Sequence, residues 1–285
     1  MLVYAKSLAM IPYALKNVVI NGVANNITLA DSTGNNNFYC PEEFKARRIS
    51  YTHNYQQKTA RGVTQGWETL ALPFTVSKIT HETKGEITPS TVEGAERPFW
   101  LYELGDNGLK AATQISANIP YLICMPNDDA YGDDYILGGR VTFSAQNVTI
   151  TTSTGTVVSS GDRQFVPTYQ SVASSSDVYV LNVGQVVGEN PAGSAFVQNL
   201  REVRPFEAYS MHGASRSRTI PVSSLRGGDA TGINDLMLND GGEPVDGVVK
   251  VYSLSGALIK QGKREEVLRS LPKGLYIIDG KKIIK

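Results

Sequence analysis

The sequence predicts an all-β fold, with one or two antiparallel domains of β-sandwich or jelly-roll type followed by a small C-terminal β-module. Short runs rich in Val, Ile, Thr, Tyr and Phe recur along the chain, and Gly, Pro, Asn and Asp residues separate them. No segment carries a long apolar stripe of period 3.6 free of Gly and Pro, which is the pattern of a helix. The 27 glycines and 14 tyrosines among 285 residues suit a turn-rich β-protein.

Two early runs show how the strands are recognised. Residues 46–55 alternate, and the period of two predicts opposite faces for the two sets of side chains. One set is Ile49, Tyr51 and His53, and the other is Arg48, Ser50, Thr52 and Asn54. The next run, residues 66–74, supplies the strongest core candidates, which are Trp67, Leu70, Leu72 and Phe74. Further strands are predicted at 98–102, 121–125, 141–150, 156–159, 178–183 and 203–209.

The composition divides the chain into three parts. Residues 1–227 form the β-rich module, and a division of this module into two subdomains near residues 130–140 is left open. Residues 228–247 are rich in Gly and Asp and are predicted to be a linker. Residues 248–285 form the C-terminal β-module, in which Gln261-Gly262 is expected to end a strand and Asp279-Gly280 to form a hairpin turn.

The C-terminal module carries three short patterns in order. The run VYSLSG contains Tyr252 and Gly256, LPKGLYII contains Pro272, Gly274 and Tyr276, and GKKII contains Gly280, Lys281 and Lys282. Together they resemble the C-terminal sorting domain of the type IX secretion system of Bacteroidetes-type bacteria. The resemblance implies that these eight residues form a sorting signal, that the secretion machinery is a partner, and that the protein reaches the cell surface, the outer membrane or the medium. The structural alternative is an edge β-module that closes a sandwich.

A second set of patterns lies in the β-rich module. Residues 66–74 read GWETLALPF, residues 117–123 read ANIPYLI, and residues 206–209 read FEAY. These stretches resemble a β-rich module of unknown function that recurs in Bacteroidetes-type surface proteins. The resemblance implies a surface context and carries no catalytic residues.

Charge and hydropathy restrict the partners. The chain has 27 basic and 27 acidic residues, which gives no electrostatic argument for a nucleic acid partner. No apolar run approaches the length of about 18 residues that a transmembrane helix needs. The N-terminus is interrupted by Lys6, Pro12 and Lys16 and does not read as a signal peptide. Since an exported protein needs such a signal, either the signal was removed or this chain is the C-terminal part of a longer protein, and we favour the second interpretation.

The residues that could carry chemistry are few. His53, His81 and His212 have no metal-ligand spacing, and no G-x-S-x-G elbow is present, so we expect no catalytic residues, no cofactor and no enzymatic activity in this chain. The one acidic cluster contains Asp128, Asp129, Asp133 and Asp134. It is either a calcium site or a hydrated loop, since its spacing departs from that of an EF-hand.

Cys40 and Cys124 are the only cysteines. They are too few for a disulfide scaffold or a zinc site. A single bridge between them in an oxidising envelope and two buried free thiols are the two alternatives.

Two functions follow from these patterns. The first is a non-catalytic, exported cell-surface protein that adheres to a glycan or to a protein of a host or cell surface. Its stacking candidates would be Trp100, Tyr102, Tyr131 and Tyr135. The alternative is the C-terminal accessory part of a surface glycosidase or peptidase whose catalytic domain lies upstream.

Overall fold

The computed structural model describes residues 2–7, 15–30, 37–59, 64–105, 108–129, 131–160, 163–212, 217–225, 248–252, 258–272, 274–278 and 281–284. These residues form 23 β-strands, one α-helix and two 3₁₀ turns, Asp133–Tyr135 and Val222–Leu225. The predicted all-β fold is therefore confirmed. The chain divides into two compact units, with the described residues up to 225 in the first and those from 248 in the second.

The first sheet of the N-terminal unit is mixed, although antiparallel pairing was predicted. Its strands are β1 (Val3–Ala5), β2 (Val18–Ile20), β3 (Val23–Ala24), β4 (Ile27–Ala30), β5 (Phe44–Tyr55), β7 (Lys78–His81), β8 (Gly85–Glu86) and β13 (Gly139–Ile150). They are ordered β1-β2-β3-β5-β13-β7-β8, with β4 also beside β5. The pairs β1–β2, β3–β5 and β4–β5 are parallel. The long strands β5 and β13 pair antiparallel over almost their whole length.

The second sheet has a central strand, β12, that is buried on both faces. It contains β6 (Glu68–Ala71), β9 (Thr88–Pro89), β10 (Pro98–Gly105), β11 (Gly108–Ala111) and β12 (Pro120–Cys124), in the order β11-β10-β12-β6 with β9 beside β10. All five residues of β12 are buried. Tyr121 and Ile123 share a core with Tyr51 and Phe143 of the first sheet, which makes these two sheets a sandwich.

The third sheet is antiparallel and covers the other side of the second. Its strands are β14 (Val158–Ser160), β15 (Arg163–Pro167), β16 (Tyr179–Leu181), β17 (Ala195–Gln198), β18 (Ala208–His212) and β19 (Thr219–Pro221), ordered β14-β15-β18-β16-β17-β19. Strand β14 contacts β10, and β15 contacts β12. The second sheet is therefore the middle layer of the N-terminal unit.

The predicted core and strand faces agree with the observed burial. Trp67, Leu70, Leu72 and Phe74 are each at most 2% exposed. Ile49 and Tyr51 are buried, whereas Arg48 is exposed, as the alternation of residues 46–55 predicts. The interval 130–140 covers the end of the connection between β12 and β13 and the first two residues of β13. Strand β13 pairs with both β5 and β7, so strands from before and after this interval share the first sheet.

The C-terminal unit is a four-stranded antiparallel sheet with a helix on one face. The strands are β20 (Val248–Tyr252), β21 (Leu258–Lys263), β22 (Leu275–Ile278) and β23 (Lys281–Ile284), ordered β21-β20-β22-β23, and the helix is α1 (Arg264–Ser270). Val267 of the helix and Leu271 pack with Val251 and Tyr276. The predicted linker, residues 228–247, lies outside the described residues.

Gly262 corrects one prediction about this unit. The strand was expected to end at Gln261-Gly262, but β21 continues to Lys263. A Cβ atom at Gly262 would lie 3.1 Å from Cγ2 of Val267. The glycine therefore lets α1 approach the sheet closely and does not act as a turn residue.

Candidate functional site

The P-x-G-x-Y pattern of the tail forms a closed turn ahead of β22. The hydroxyl of Tyr276 donates a hydrogen bond to the carbonyl of Pro272 at 3.0 Å. Gly274 lies against the tyrosine ring, since a Cβ atom there would be 3.1 Å from the hydroxyl oxygen and 3.2 Å from Cζ. Tyr276 is 9% exposed and belongs to the core beneath α1. The spacing of the three residues thus has a local structural cause.

The other predicted sorting residues lie in the strands or outside the described part. Tyr252 is opposite Ile277 in the β20–β22 pair. Lys281 and Lys282 are opposite Ile278 and Ile277 in the β22–β23 pair. This register leaves two residues to join the strands, which is the length expected of the Asp-Gly hairpin. Gly256 and Gly280 lie outside the described residues.

The first two residues of the stretch GWETLALPF form backbone hydrogen bonds with a distant loop. The amide of Gly66 donates to the carbonyl of Ala192 at 2.9 Å, and the amide of Trp67 donates to the carbonyl of Gly193 at 3.1 Å. Gly193 has a φ of +69°, and a Cβ atom on it would lie 2.5 Å from the carbonyl oxygen of Trp67. The close approach of the two backbones therefore requires glycine at position 193. No sequence pattern predicted that Ala192 and Gly193 pair with this stretch.

The stretch ANIPYLI pairs with the same segment. Pro120 and Tyr121 of β12 are opposite Ala71 and Leu70 of β6. Just before β12, the amide of Asn118 donates to the carbonyl of Leu72 at 2.7 Å. Asn118 adopts a φ of +65°, a conformation that asparagine accepts more readily than most residues.

The stretch FEAY occupies the opposite edge of β6. The amide of Ala71 donates to the carbonyl of Phe206 at 2.8 Å, and the amide of Ala208 donates to the hydroxyl oxygen of Thr69 at 3.0 Å. Phe206 is 1% exposed, and its φ of +69° is rare for a bulky residue. All three patterns shared with surface modules therefore converge on one strand, and we call this convergence the β6 junction. Its motif residues serve packing and backbone pairing.

Two side chains reinforce the β6 junction. Glu207 accepts two hydrogen bonds from the guanidinium of Arg201, at 2.8 and 3.0 Å, and one from the amide of Arg204. The buried hydroxyl of Tyr169 donates to Oδ1 of Asn118 at 2.8 Å and lies 3.3 Å from the carbonyl oxygen of Leu72. Burial raises the pKa of Tyr169 well above its usual value, because the phenolate would lose its hydration.

A histidine–glutamate pair joins the first two sheets. Nε2 of His53 in β5 lies 2.7 Å from Oε2 of Glu68 in β6, and the side chains are 22% and 8% exposed. The His53 ring stacks on Tyr51 and meets Tyr55 edge-on. The alternation placed His53 on the same face as Ile49 and Tyr51. It did not predict the partner of His53, since Glu68 is an acidic residue between core positions. The contact ties the two layers of the sandwich and shows a structural role.

The acidic cluster is spread along a loop. Asp129, Asp133 and Asp134 are exposed, and Asp128 is half-buried. The carbonyl of Asp128 accepts the amide of Tyr131, and that of Asp133 accepts a hydrogen bond from Nζ of Lys84 at 2.7 Å. Within the part of the chain that the structure describes, no three His, Cys, Asp or Glu side chains come together to hold a metal ion. The geometry gives the calcium interpretation no support.

Two of the four proposed stacking aromatics are buried. Trp100 is 7% exposed and Tyr131 is 8% exposed, and their rings pack together at 6.2 Å between centroids. Tyr102 meets the ring of Trp67 edge-on. Tyr135 is 48% exposed, next to Asp133 and Asp134. A sugar-stacking platform built on Trp100 and Tyr131 is therefore excluded by their packing.

Both cysteines are free and buried. The thiol of Cys40 lies 3.1 Å from the carbonyl of Glu42 and beneath the hydroxyl of Tyr4. Burial raises the pKa of both thiols, and the negative charge of Glu68 adds to the effect at Cys124. A raised pKa keeps a thiol in its unreactive neutral form at physiological pH.

Comparisons of this chain with protein-family models, with curated proteins and with solved structures found no match. Among the described residues, no helix has the length and apolar character needed to cross a membrane.

The close contact at Gly193 predicts a specific sensitivity to substitution. Gly193→Ala should lower the free energy of unfolding by about 2–4 kcal/mol, because the new methyl group would collide with the Trp67 backbone at a positive φ. Gly188→Ala is the matched control, since Gly188 has a φ of +59° and open space around it. The control should cost only about 1 kcal/mol. Urea unfolding measures both values, and equal losses would contradict the contact.

Tyr169 predicts a dependence on alkaline pH. Its pKa is raised in the folded state, so above the unfolded pKa of about 10 the unfolded chain releases a proton that the folded chain retains, and stability falls as pH rises. Tyr169→Phe loses the bonds to Asn118 and Leu72 and should be less stable by about 1 kcal/mol near pH 8.

This deficit of Tyr169→Phe should narrow toward about pH 11, because the phenylalanine has no proton to lose. Urea midpoints across the pH range measure the change. Tyr39→Phe, at a 61% exposed position, controls for the loss of a tyrosine hydroxyl. A deficit that stays constant with pH would contradict burial as the cause of the raised pKa of Tyr169.

Proposed function

We propose that this chain is the exported, non-catalytic binding part of a cell-surface protein. The C-terminal unit directs passage across the outer membrane through type IX secretion machinery, and the N-terminal unit binds a glycan or a protein at the surface. The proposal rests on the resemblance of the two regions to surface and sorting modules.

The observation that carries the proposal is the coincidence of the sorting pattern with a separate compact unit. The residues from 248 onward form their own sheet, helix and apolar core. Pro272, Gly274 and Tyr276 close a turn inside that unit. The described residues of the sorting pattern therefore lie in a unit with its own apolar core, which supports its interpretation as a sorting domain.

The organisation of the N-terminal unit supports a binding role. Most of its motif residues are buried, and at the β6 junction they bond one another and the backbone of Ala192 and Gly193. His53 and Glu68 bond each other between two sheets, and His81 bonds the carbonyl of Gly138. Such a unit is a rigid support, and binding proteins of this kind act through the surfaces of their strands and loops.

Cell fractionation tests the export function. In a bacterium with type IX secretion, the natural gene product should reach the cell surface or the medium, and a product lacking residues 248–285 should accumulate in the periplasm. Gly274→Val should also reduce export, because its side chain would collide with the Tyr276 ring at 3.1–3.3 Å and open the turn. Glu266→Gln, an exposed change on α1, is the control. Equal surface levels with and without the tail would contradict the proposal.

A further inference from the structure

The outer face of the β5–β13 pair is a long polar surface. Its outward residues alternate with the buried core residues and lie opposite one another in the antiparallel register. On β5 they are Lys45, Arg47, Arg48, Ser50, Thr52 and Asn54, and on β13 they are Arg140, Thr142, Ser144, Gln146, Asn147 and Thr149. Twelve residues of extended strand span about 40 Å. We call this surface the β5–β13 face.

A break in the alternation of buried and exposed residues concentrates positive charge at one end of the β5–β13 face. Between the buried residues Ala46 and Ile49, two consecutive residues, Arg47 and Arg48, are exposed. Strand β13 has the same shift opposite them, where Gln146 and Asn147 are both exposed and Asn147 has a φ of +52°. Each strand thus carries two consecutive outward side chains, while the pairing register stays the same on both sides of them, from Ala46↔Val148 to Arg48↔Gln146.

The result of this shift is a cationic cluster. Lys45, Arg47 and Arg48 are all exposed, and they form no ion pair with another residue in the described ranges. The exposed amides of Gln146 and Asn147 lie across from them.

Among the residues that the structure describes, the acidic residues near the β5–β13 face lie at its margins or are already engaged. Neither β5 nor β13 contains an aspartate or glutamate. Glu42 and Glu43 precede β5, Glu82 accepts the amide of Arg140 at the other end, and Glu86 pairs with Lys78 at 3.4 Å. The cationic end of the face therefore presents cations and amides to solvent, and its centre carries half-buried hydroxyl residues, of which Thr52 and Thr142 bond each other at 3.0 Å.

We propose that the β5–β13 face binds an acidic polysaccharide. Carboxylate or sulfate groups of the polymer would meet Lys45, Arg47 and Arg48, and its hydroxyl groups would meet the amide and hydroxyl side chains farther along the strands. An elongated face along two twelve-residue strands suits an extended chain with repeated charges. Its outward positions carry no aromatic residue, whereas single-stranded nucleic acid sites stack bases on aromatic rings. The inference rests on the proposed surface-binding function and names its ligand class.

Binding of the full chain to polygalacturonate, with dextran as the neutral polymer and duplex DNA as the other polyanion, tests this inference. The chain should bind polygalacturonate in about 20 mM salt. Its affinity for the polymer should fall strongly by about 300 mM salt, since salt screens exposed charges. Arg47→Gln/Arg48→Gln should weaken binding by about tenfold, the size expected for the loss of two exposed charge contacts. Arg47→Lys/Arg48→Lys should retain most of the affinity.

The matched control is Arg204→Gln/Arg218→Gln, which removes the same charge from exposed positions near the third sheet. It should bind as the unchanged chain does. The proposal is overturned by absence of binding at low salt, by equal losses in the two glutamine variants, by equal binding of dextran, or by tighter binding of DNA. Cell fractionation of the same variants separates the two proposals, because their export should be normal even where binding is lost.

Discussion

Strand β6 is bonded along both edges, and the N-terminal unit depends on this arrangement. One edge pairs with β12 and the other donates from Ala71 to Phe206, while Trp67 and Leu72 at the two ends bond Gly193 and Asn118. These partners come from residues 118–124 and 192–208, far apart in the chain. Closing such loops costs conformational entropy that only long-range contacts repay. The short central strand β6 therefore determines how the three sheets of the N-terminal unit are arranged.

Much of the fold could be predicted from local patterns. The period of two assigned the faces of β5, and the density of apolar residues identified Trp67, Leu70, Leu72 and Phe74 as core. The pairing of distant strands could not be predicted, since alternation specifies a face and leaves the neighbour open. Helix α1 was missed because seven residues are too few for a helix to be stable alone, and this one is held by Val267 against Val251 and Tyr276. Gly262 was wrongly predicted to end a strand, because glycine is needed there for the close approach of α1 and this contact is not visible in the sequence.

The candidate sites also divide into those that local sequence patterns predict and those that depend on the pairing of distant strands. The P-x-G-x-Y spacing could be recognised in the sequence, because its contacts span only four residues. The His53–Glu68 pair and the cationic end of the β5–β13 face could not, because each needs the register between distant strands. The shift at Arg47 and Arg48 is especially hidden, since strict alternation would turn one of these arginines toward the core. Buried motif residues thus serve the architecture of the N-terminal unit. The cationic end of the β5–β13 face, which makes no ion pair within the described residues, is the surface that we propose contacts a partner.

Native-state hydrogen exchange measured residue by residue tests the central role of the β6 junction most directly. If β6 commits the three sheets, the amides of Trp67, Ala71, Asn118 and Ala208 should exchange only through global unfolding, with the same free energy and the same dependence on denaturant. The amides of the edge strands β1 and β8 should exchange through smaller, local openings. Exchange of the junction amides at the rate of those edges, or with different free energies among the four, would contradict the account.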